Sequence, residues 1–138
     1  MIDFNERFKE NLINKKLVKK DDKLLLGISG GPDSLTMLNL FVEIRDEFNL
    51  DLLVFHLNHS FRKEADQEAE FVKNFCKKLD INYIIKKFDV PKYVKQNNLS
   101  PEEGAREIRF NFLKEICQAK NIKKVCLAHN KDDLVETV

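Results

Sequence analysis

The stretch LLLGISGGPDSLTMLNLF, Leu24–Phe41, sets two apolar runs on either side of Ser29-Gly30-Gly31-Pro32-Asp33-Ser34. The first run is short and continuous, as in a strand buried on both faces. The second continues to Phe48 and is apolar over much of a helical surface, as in a helix packed on a sheet. Three of the chain's four glycines, Gly27, Gly30 and Gly31, fall here. A backbone that turns sharply, or approaches something closely, explains that clustering.

Outward from this stretch the elements alternate. KLLLGI (23–28) and DLLVFHL (51–57) read as buried strands, and NYIIKKF (82–88) and KKVCLAH (123–129) as a third and a fourth strand. Between them, Ala65, Ala69, Val72, Cys76 and Leu79 form an apolar stripe on a helix over 64–79. Ala105, Ile108, Phe112, Ile116 and Ala119 do the same on a helix over 102–119. Phe4, Phe8, Leu12 and Ile13 predict a further amphipathic helix over 3–16. The expected class is therefore α/β, a mostly parallel sheet joined by right-handed crossovers, with helices on both faces. VPKYVKQNNLSPEEG (90–104) interrupts the alternation. Its end carries a capping box, Ser100 as N-cap, Pro101 at the first helical position and Glu103 three residues after the serine. The last residues, from Lys131, are expected to begin a helix with no closing strand after it, so the chain reads as an incomplete piece of a longer polypeptide.

Composition narrows the class. With 138 residues, 43% hydrophobic and 34% charged, the chain is one soluble globular domain or part of one. No apolar run is long enough to cross a bilayer, and MIDFNERFKENLINKK mixes charges where a signal peptide would be apolar. Cys76, Cys117 and Cys126 are odd in number and lack C-x-x-C spacing. That pattern fits a reducing cytoplasm and argues against a disulfide scaffold or zinc site. A net charge of +1 neither requires nor excludes a nucleic-acid partner. The run KKLVKKDDK, Lys15–Lys23, reads as a solvated face.

In a parallel sheet, ligands bind beyond the carboxyl ends of the strands. A helix N-terminus there offers unpaired N–H groups and the positive end of its dipole, which suit phosphate. Ser29 and Ser34 add hydroxyls. Asp33 would repel a bare phosphate, so metal coordination, capping or an amide contact suits it better. An ordinary turn with Asp33 as N-cap is the bland alternative. The pattern is neither G-x-x-x-x-G-K-[ST] nor G-x-G-x-x-G.

Further groups stand at the other strand ends. His56, Asn58, His59 and Arg62 close the second strand; alone, His56 reads as a histidine packed under a loop. Arg106 and Arg109 share one helix face, as would suit phosphate or a planar carboxylate. Glu103 is explained by its cap, and Arg106 by a helix-surface pair with Glu102. His129, Asp132, Asp133 and Glu136 follow the fourth strand. The adjacent aspartates either cap a helix or, beside a polyphosphate, hold Mg²⁺. The cysteines read as core.

SGGPDS resembles, at all six positions, the S-G-G-x-D-S loop of the N-type ATP pyrophosphatases, the PP-loop family. With HLNHSFR, EGAREIRF and AHNKDDLVET in the same order, residues 20–138 are similar to the tRNA(Ile)-lysidine synthetase family. Ala128, Asn130 and Gly104 depart from that family's usual glycine, histidine and alanine. The resemblance implies a Rossmann-like, adenine nucleotide α-hydrolase-like fold. It implies a catalytic domain over 1–138, incomplete at its C-terminal end and without the family's tRNA-binding domains. The implied reaction uses ATP to adenylate the wobble cytidine of an isoleucine tRNA, joins free lysine there, and releases AMP and pyrophosphate.

The implied roles follow residue by residue. Ser29, Gly30, Gly31, Pro32, Asp33, Ser34 and His56 bind ATP. Asp33, Arg106, Asp132 and Asp133 are catalytic. Asn58, His59, Arg62, Glu103, Arg109, His129 and Glu136 are candidates for tRNA or lysine. Asp33 and Asp133 hold Mg²⁺. No membrane partner is expected, and a homodimer stays open. Two alternatives stand beside this reading: a PP-loop tRNA thiolase, which would need a cysteine pair or iron–sulfur cluster, and a non-catalytic adenine-nucleotide-binding module.

Overall fold

The computed structural model describes residues 18–128 and, in backbone only, 133–137. The helix expected over 3–16 lies outside the described residues.

Four parallel strands, β1 (Lys23–Gly27), β2 (Asp51–Asn58), β3 (Asn82–Lys87) and β4 (Lys124–Ala128), form the sheet with β5 (Asp133–Thr137). The order is β3-β2-β1-β4-β5, with β5 antiparallel to β4. β1 is therefore central. Leu24 pairs with Leu52 of β2 on one side and Lys124 of β4 on the other. The alternation along the strands accounts for the two covered faces. Leu24, Leu26, Leu52, Val54 and Cys126 belong to one core with α1 (Pro32–Phe48) and α2 (Glu64–Lys78). Leu25, Phe55, Leu57, Val125 and Leu127 belong to another, against α4 (Pro101–Lys120). Successive strand side chains point to opposite faces, so unbroken apolar runs are what a doubly covered sheet requires.

The interrupting segment holds a helix that periodicity did not reveal, α3 (Val90–Asn97), capped by Asp89, whose carboxylate accepts the Lys92 N–H at 3.1 Å. It packs on α4 at Gly104, where an added Cβ would collide with the Val94 side chain. This departure from the usual alanine therefore has a local cause. Ser100 caps α4 as expected: its Oγ accepts the Glu103 N–H at 3.1 Å. The Glu103 carboxylate turns back to the Ser100 hydroxyl at 3.0 Å. On α4, Ile108 and Ile116 are buried and Ala105 and Phe112 half-buried, but Ala119 is exposed; Leu113 and Cys117 take its place.

One expectation is corrected. The helix expected from Lys131 is replaced by β5 over Asp133–Thr137. The free edge of β4 offers a row of unpaired backbone groups, which the residues following it satisfy as a strand. In the basic run Lys19, Lys20 and Lys23 are exposed, as a solvated face requires, while its two aspartates are paired. Asp22 pairs with Lys124 Nζ at 2.6 Å, both about four-fifths buried at the side chain. Asp21 receives the Asn49 amide at 2.7 Å. These two aspartates tie the entry to β1 to β4 and to the end of α1.

Candidate active site

β1 leaves the sheet through Ile28, whose N–H still bonds the Phe55 carbonyl at 2.9 Å. The chain then turns at Gly30, with φ +93°, a conformation that side-chain-bearing residues rarely adopt. Ser34, 3% exposed, is the knot of the turn. Its hydroxyl donates to the Gly31 carbonyl at 3.0 Å and accepts the Gly30 N–H at 3.1 Å and the Ser29 hydroxyl at 3.2 Å. Ser29 Oγ accepts the Gly31 N–H at 3.2 Å. Both serines thus hold the loop's shape.

α1 begins at Pro32 with Gly31 as its N-cap and no side-chain cap. The bland alternative, Asp33 as N-cap, is set aside: Asp33 lies within the first turn and is exposed. Pro32 has no N–H to leave unsatisfied, and the amides after it have no partner inside the helix.

This uncapped start borders a cavity of about 430 Å³ at the carboxyl ends of β1, β2 and β4. Its floor is the Gly27–Gly31 backbone, and its charged wall is Arg62, Glu68 and Arg109. Arg109 is half-buried, and burial, then Arg106 nearby, pushes its guanidinium pKa down from the ordinary range. Arg62 Nη2 donates to Glu68 Oε1 at 2.9 Å. His59 lines the same space; its Nδ1 accepts the Phe61 N–H at 3.2 Å, so the neutral ring carries its proton on Nε2. Burial lowers its pKa, against the opposing effect of Glu68.

Among the described residues, His56, Asn58, Glu103 and Arg106 are not part of the cavity wall. His56 is buried under the loop, and its Nδ1 lies 2.7 Å from the Ile28 carbonyl. A carbonyl only accepts, so Nδ1 is the donor. Burial lowers the His56 pKa and favours the neutral ring. Asn58 is buried as well. It donates to Asp66 at 2.7 Å and accepts the Ser60 N–H at 3.2 Å, which shapes the turn after β2. Arg106 and Arg109 part company: Arg106 is exposed and lies over the Phe110 ring at 5.6 Å. Glu103 is exposed in its cap. His129 and Asp132 lie outside the described residues. Asp133 and Glu136 are described in backbone only; Asp133 pairs with Ala128, which lines the cavity, and Glu136 with Val125.

Sequence reasoning passed over Glu68. It lies three residues after Ala65 and four before Val72, inside the apolar stripe of α2. A carboxylate on an inward stripe was the available signal.

Among the described residues, no cluster of three His, Cys, Asp or Glu side chains could hold a metal by itself. All three cysteines are buried, in α2, α4 and β4. Burial raises the thiol pKa of Cys76 to about 11 and raises that of Cys117.

A family model for the PP-loop domain matches residues 2–138. The chain belongs to the PP-loop family. Within it, the chain is 43% identical over 130 residues to the tRNA(Ile)-lysidine synthase of Clostridium tetani and 40% identical over 138 residues to that of Thermosipho africanus. These alignments cover 93% and 100% of this chain, but only 28% and 32% of those proteins. The U34-tRNA thiolase NcsA of Methanococcus maripaludis, solved with its 4Fe-4S cluster, matches at a TM-score of 0.75 and 23% identity. It covers 91% of this chain and 44% of that one, and the likeness is one of fold. The glycine turn, the uncapped helix and the crevice above β1 all lie within the residues that the PP-loop model matches.

Proposed function

We propose that this domain carries the ATP site of a tRNA(Ile)-lysidine synthase. The single observation that carries the reading is the start of α1: a helix N-terminus without a side-chain cap, built on a glycine at φ +93°, opening onto a cavity walled by Arg62 and Arg109. Phosphate fits such a start because amide groups and the helix dipole both favour an anion. The whole reaction joins free lysine to the wobble cytidine of an isoleucine tRNA in the cytoplasm, through an adenylated tRNA, with release of AMP and pyrophosphate.

In this reading Asp33 and Ser34 offer backbone amides to the phosphates, Gly30 and Gly31 join them as Ser34 and Ser29 release their N–H groups, and Pro32 fixes the first helical residue. Ser29 and Ser34 exchange their present hydroxyl bonds for phosphate oxygens, and His56 supports the loop from below. Negative charge grows on the α-phosphate and on departing pyrophosphate, so cations positioned beforehand lower the barrier. Arg109 meets that charge inside the cavity, and Arg106 approaches from its rim. Asp33 and one of the adjacent pair Asp132 and Asp133 would hold Mg²⁺, which would neutralise phosphate oxygens. The other aspartate of the pair would hold the lysine ammonium, with His129 and Glu136 close by in sequence. Asn58, His59 and Glu103 would face tRNA or lysine, while Arg62, in the cavity wall, would meet the phosphates.

The thiolase reading finds no support in this stretch of chain, whose three thiols are buried on three separate elements. A non-catalytic module would bind ATP without cleaving it. The test is pyrophosphate release assayed with isoleucine tRNA and lysine. Wild type should require both, and Asp33→Ala should lose release while keeping its thermal midpoint; wild-type turnover in that variant would sink the assignment. Asp132→Asn and Asp133→Asn should fail differently, one in adenylated-tRNA formation and the other in lysine transfer.

A further inference from the structure

Glu68 is the one carboxylate lining the cavity among the described residues, in a wall otherwise supplied with Arg62 and Arg109. A carboxylate beside a phosphate site is unfavourable unless it serves a cation. Its partner is Arg62, at 2.9 Å. The two side chains keep 60% and 35% exposure for Arg62 and Glu68, so the pair contributes little to folding. Arg62 stands on the turn between β2 and α2, while Glu68 stands on the second turn of α2. A long, exposed arginine on a turn samples many rotamers, and ordering it for a ligand costs entropy. An anchor on a rigid helix removes much of that cost.

We propose that Glu68 is a positioning residue: it holds the Arg62 guanidinium at the cavity so that its remaining N–H groups meet the phosphate end of ATP. The inference rests on the ATP reading above. Glu68 does not touch the nucleotide; its charge acts through Arg62. Two opposite signs are therefore available to experiment. As an anchor, Glu68 strengthens ATP binding. As a bystander, it repels the phosphates and weakens it.

The experiment is calorimetric binding of Mg·ATP to the chain and to Glu68→Gln, Glu68→Asp, Arg62→Ala and the Glu68→Gln/Arg62→Ala double variant. Loss of one charge-assisted hydrogen bond corresponds to about a tenfold change in affinity. Glu68→Gln should weaken ATP about tenfold at an unchanged thermal midpoint. Glu68→Asp should recover most of the loss, and the double variant should be no weaker than Arg62→Ala. Tighter binding by Glu68→Gln overturns the proposal, as do losses that multiply in the double variant. A lowered midpoint without rescue by aspartate also overturns it, in favour of a structural role. If wild type binds no ATP, the ATP reading falls and takes this one with it; multiplied losses on a binding wild type remove this one alone.

Discussion

Two helices in this domain begin in nearly the same way and end up with opposite properties. α1 starts Gly31-Pro32-Asp33 and α4 starts Ser100-Pro101-Glu102, each with proline at its first position and acids in its first turn. α4 satisfies itself, because Ser100 Oγ takes the Glu103 N–H. α1 does not, because its N-cap is a glycine and both nearby serines bond inside the loop. A capped helix start is complete without a ligand. An uncapped one at the carboxyl end of a parallel sheet keeps its amides and dipole for an anion.

The largest test of that contrast is Gly30→Ala. Alanine at φ +93° costs about 1–3 kcal/mol, and the loop can relieve it only by leaving its present shape. ATP affinity should fall at least tenfold, or about 1.4 kcal/mol; near-wild-type affinity in calorimetry would break the link between loop shape and phosphate. Next is Gly104→Ala at the self-sufficient helix. The new methyl meets Val94, and overpacking costs about 1–3 kcal/mol, against about 0.5–1 kcal/mol gained by replacing glycine in a helix. A net loss of about 1–2 kcal/mol in urea unfolding is expected, relieved by adding Val94→Ala, with ATP binding unchanged. Should the double variant be less stable than Gly104→Ala, the contact is misassigned.

Smaller still is Ser100→Ala, which should cost about 1 kcal/mol of stability and leave ATP affinity alone. The last is the converse, Gly31→Ser. Gly31 has φ −75° and ψ 168°, which serine adopts freely, and its added Cβ would sit an ordinary 3.5 Å from Ser29 Oγ. Serine should cap α1 and add a few tenths of a kcal/mol to stability, while weakening ATP by competing for the same amides. An increase in both stability and affinity would end the comparison drawn above.

Much of this was legible in advance, for a physical reason. Strands buried on both faces carry continuous apolar runs, so LLLGI and DLLVFHL declare themselves without tertiary information. Helices on a sheet carry stripes, and those of α2 and α4 were visible apart from Ala119. α3 was hidden because its Pro91 and its polar residues read as a break, while its one fully buried residue, Val90, sits at its first position. β5 was read as a helix because pairing with a free edge is a tertiary effect, absent from local spacing. Within the site, the loop was legible and the wall less so. Arg106 and Arg109 are three residues apart, which leaves them about 60° apart around the axis. That is enough for one to line the cavity and the other to lie on Phe110. No helical wheel drawn without its neighbours tells which.

The central position of β1 has a consequence in time. Leu24 pairs with Leu52 and with Lys124, partners separated from it by 28 and 100 residues (52 − 24; 124 − 24). At roughly 5–20 residues per second, a ribosome needs several seconds or more after making β1 before its second neighbour exists. During that interval one edge of the central strand is open, and the Asp22–Lys124 clasp beside it is unmade. For the complete chain, the longer loop that the β1–β4 pairing must close favours the same order, and we predict that pulse-labelled amide exchange during refolding will protect the β1–β2 ladder before the β1–β4 ladder; simultaneous protection would refute the order. The loop that begins at Ile28 is thus attached to one of the first strands synthesised and one of the last secured.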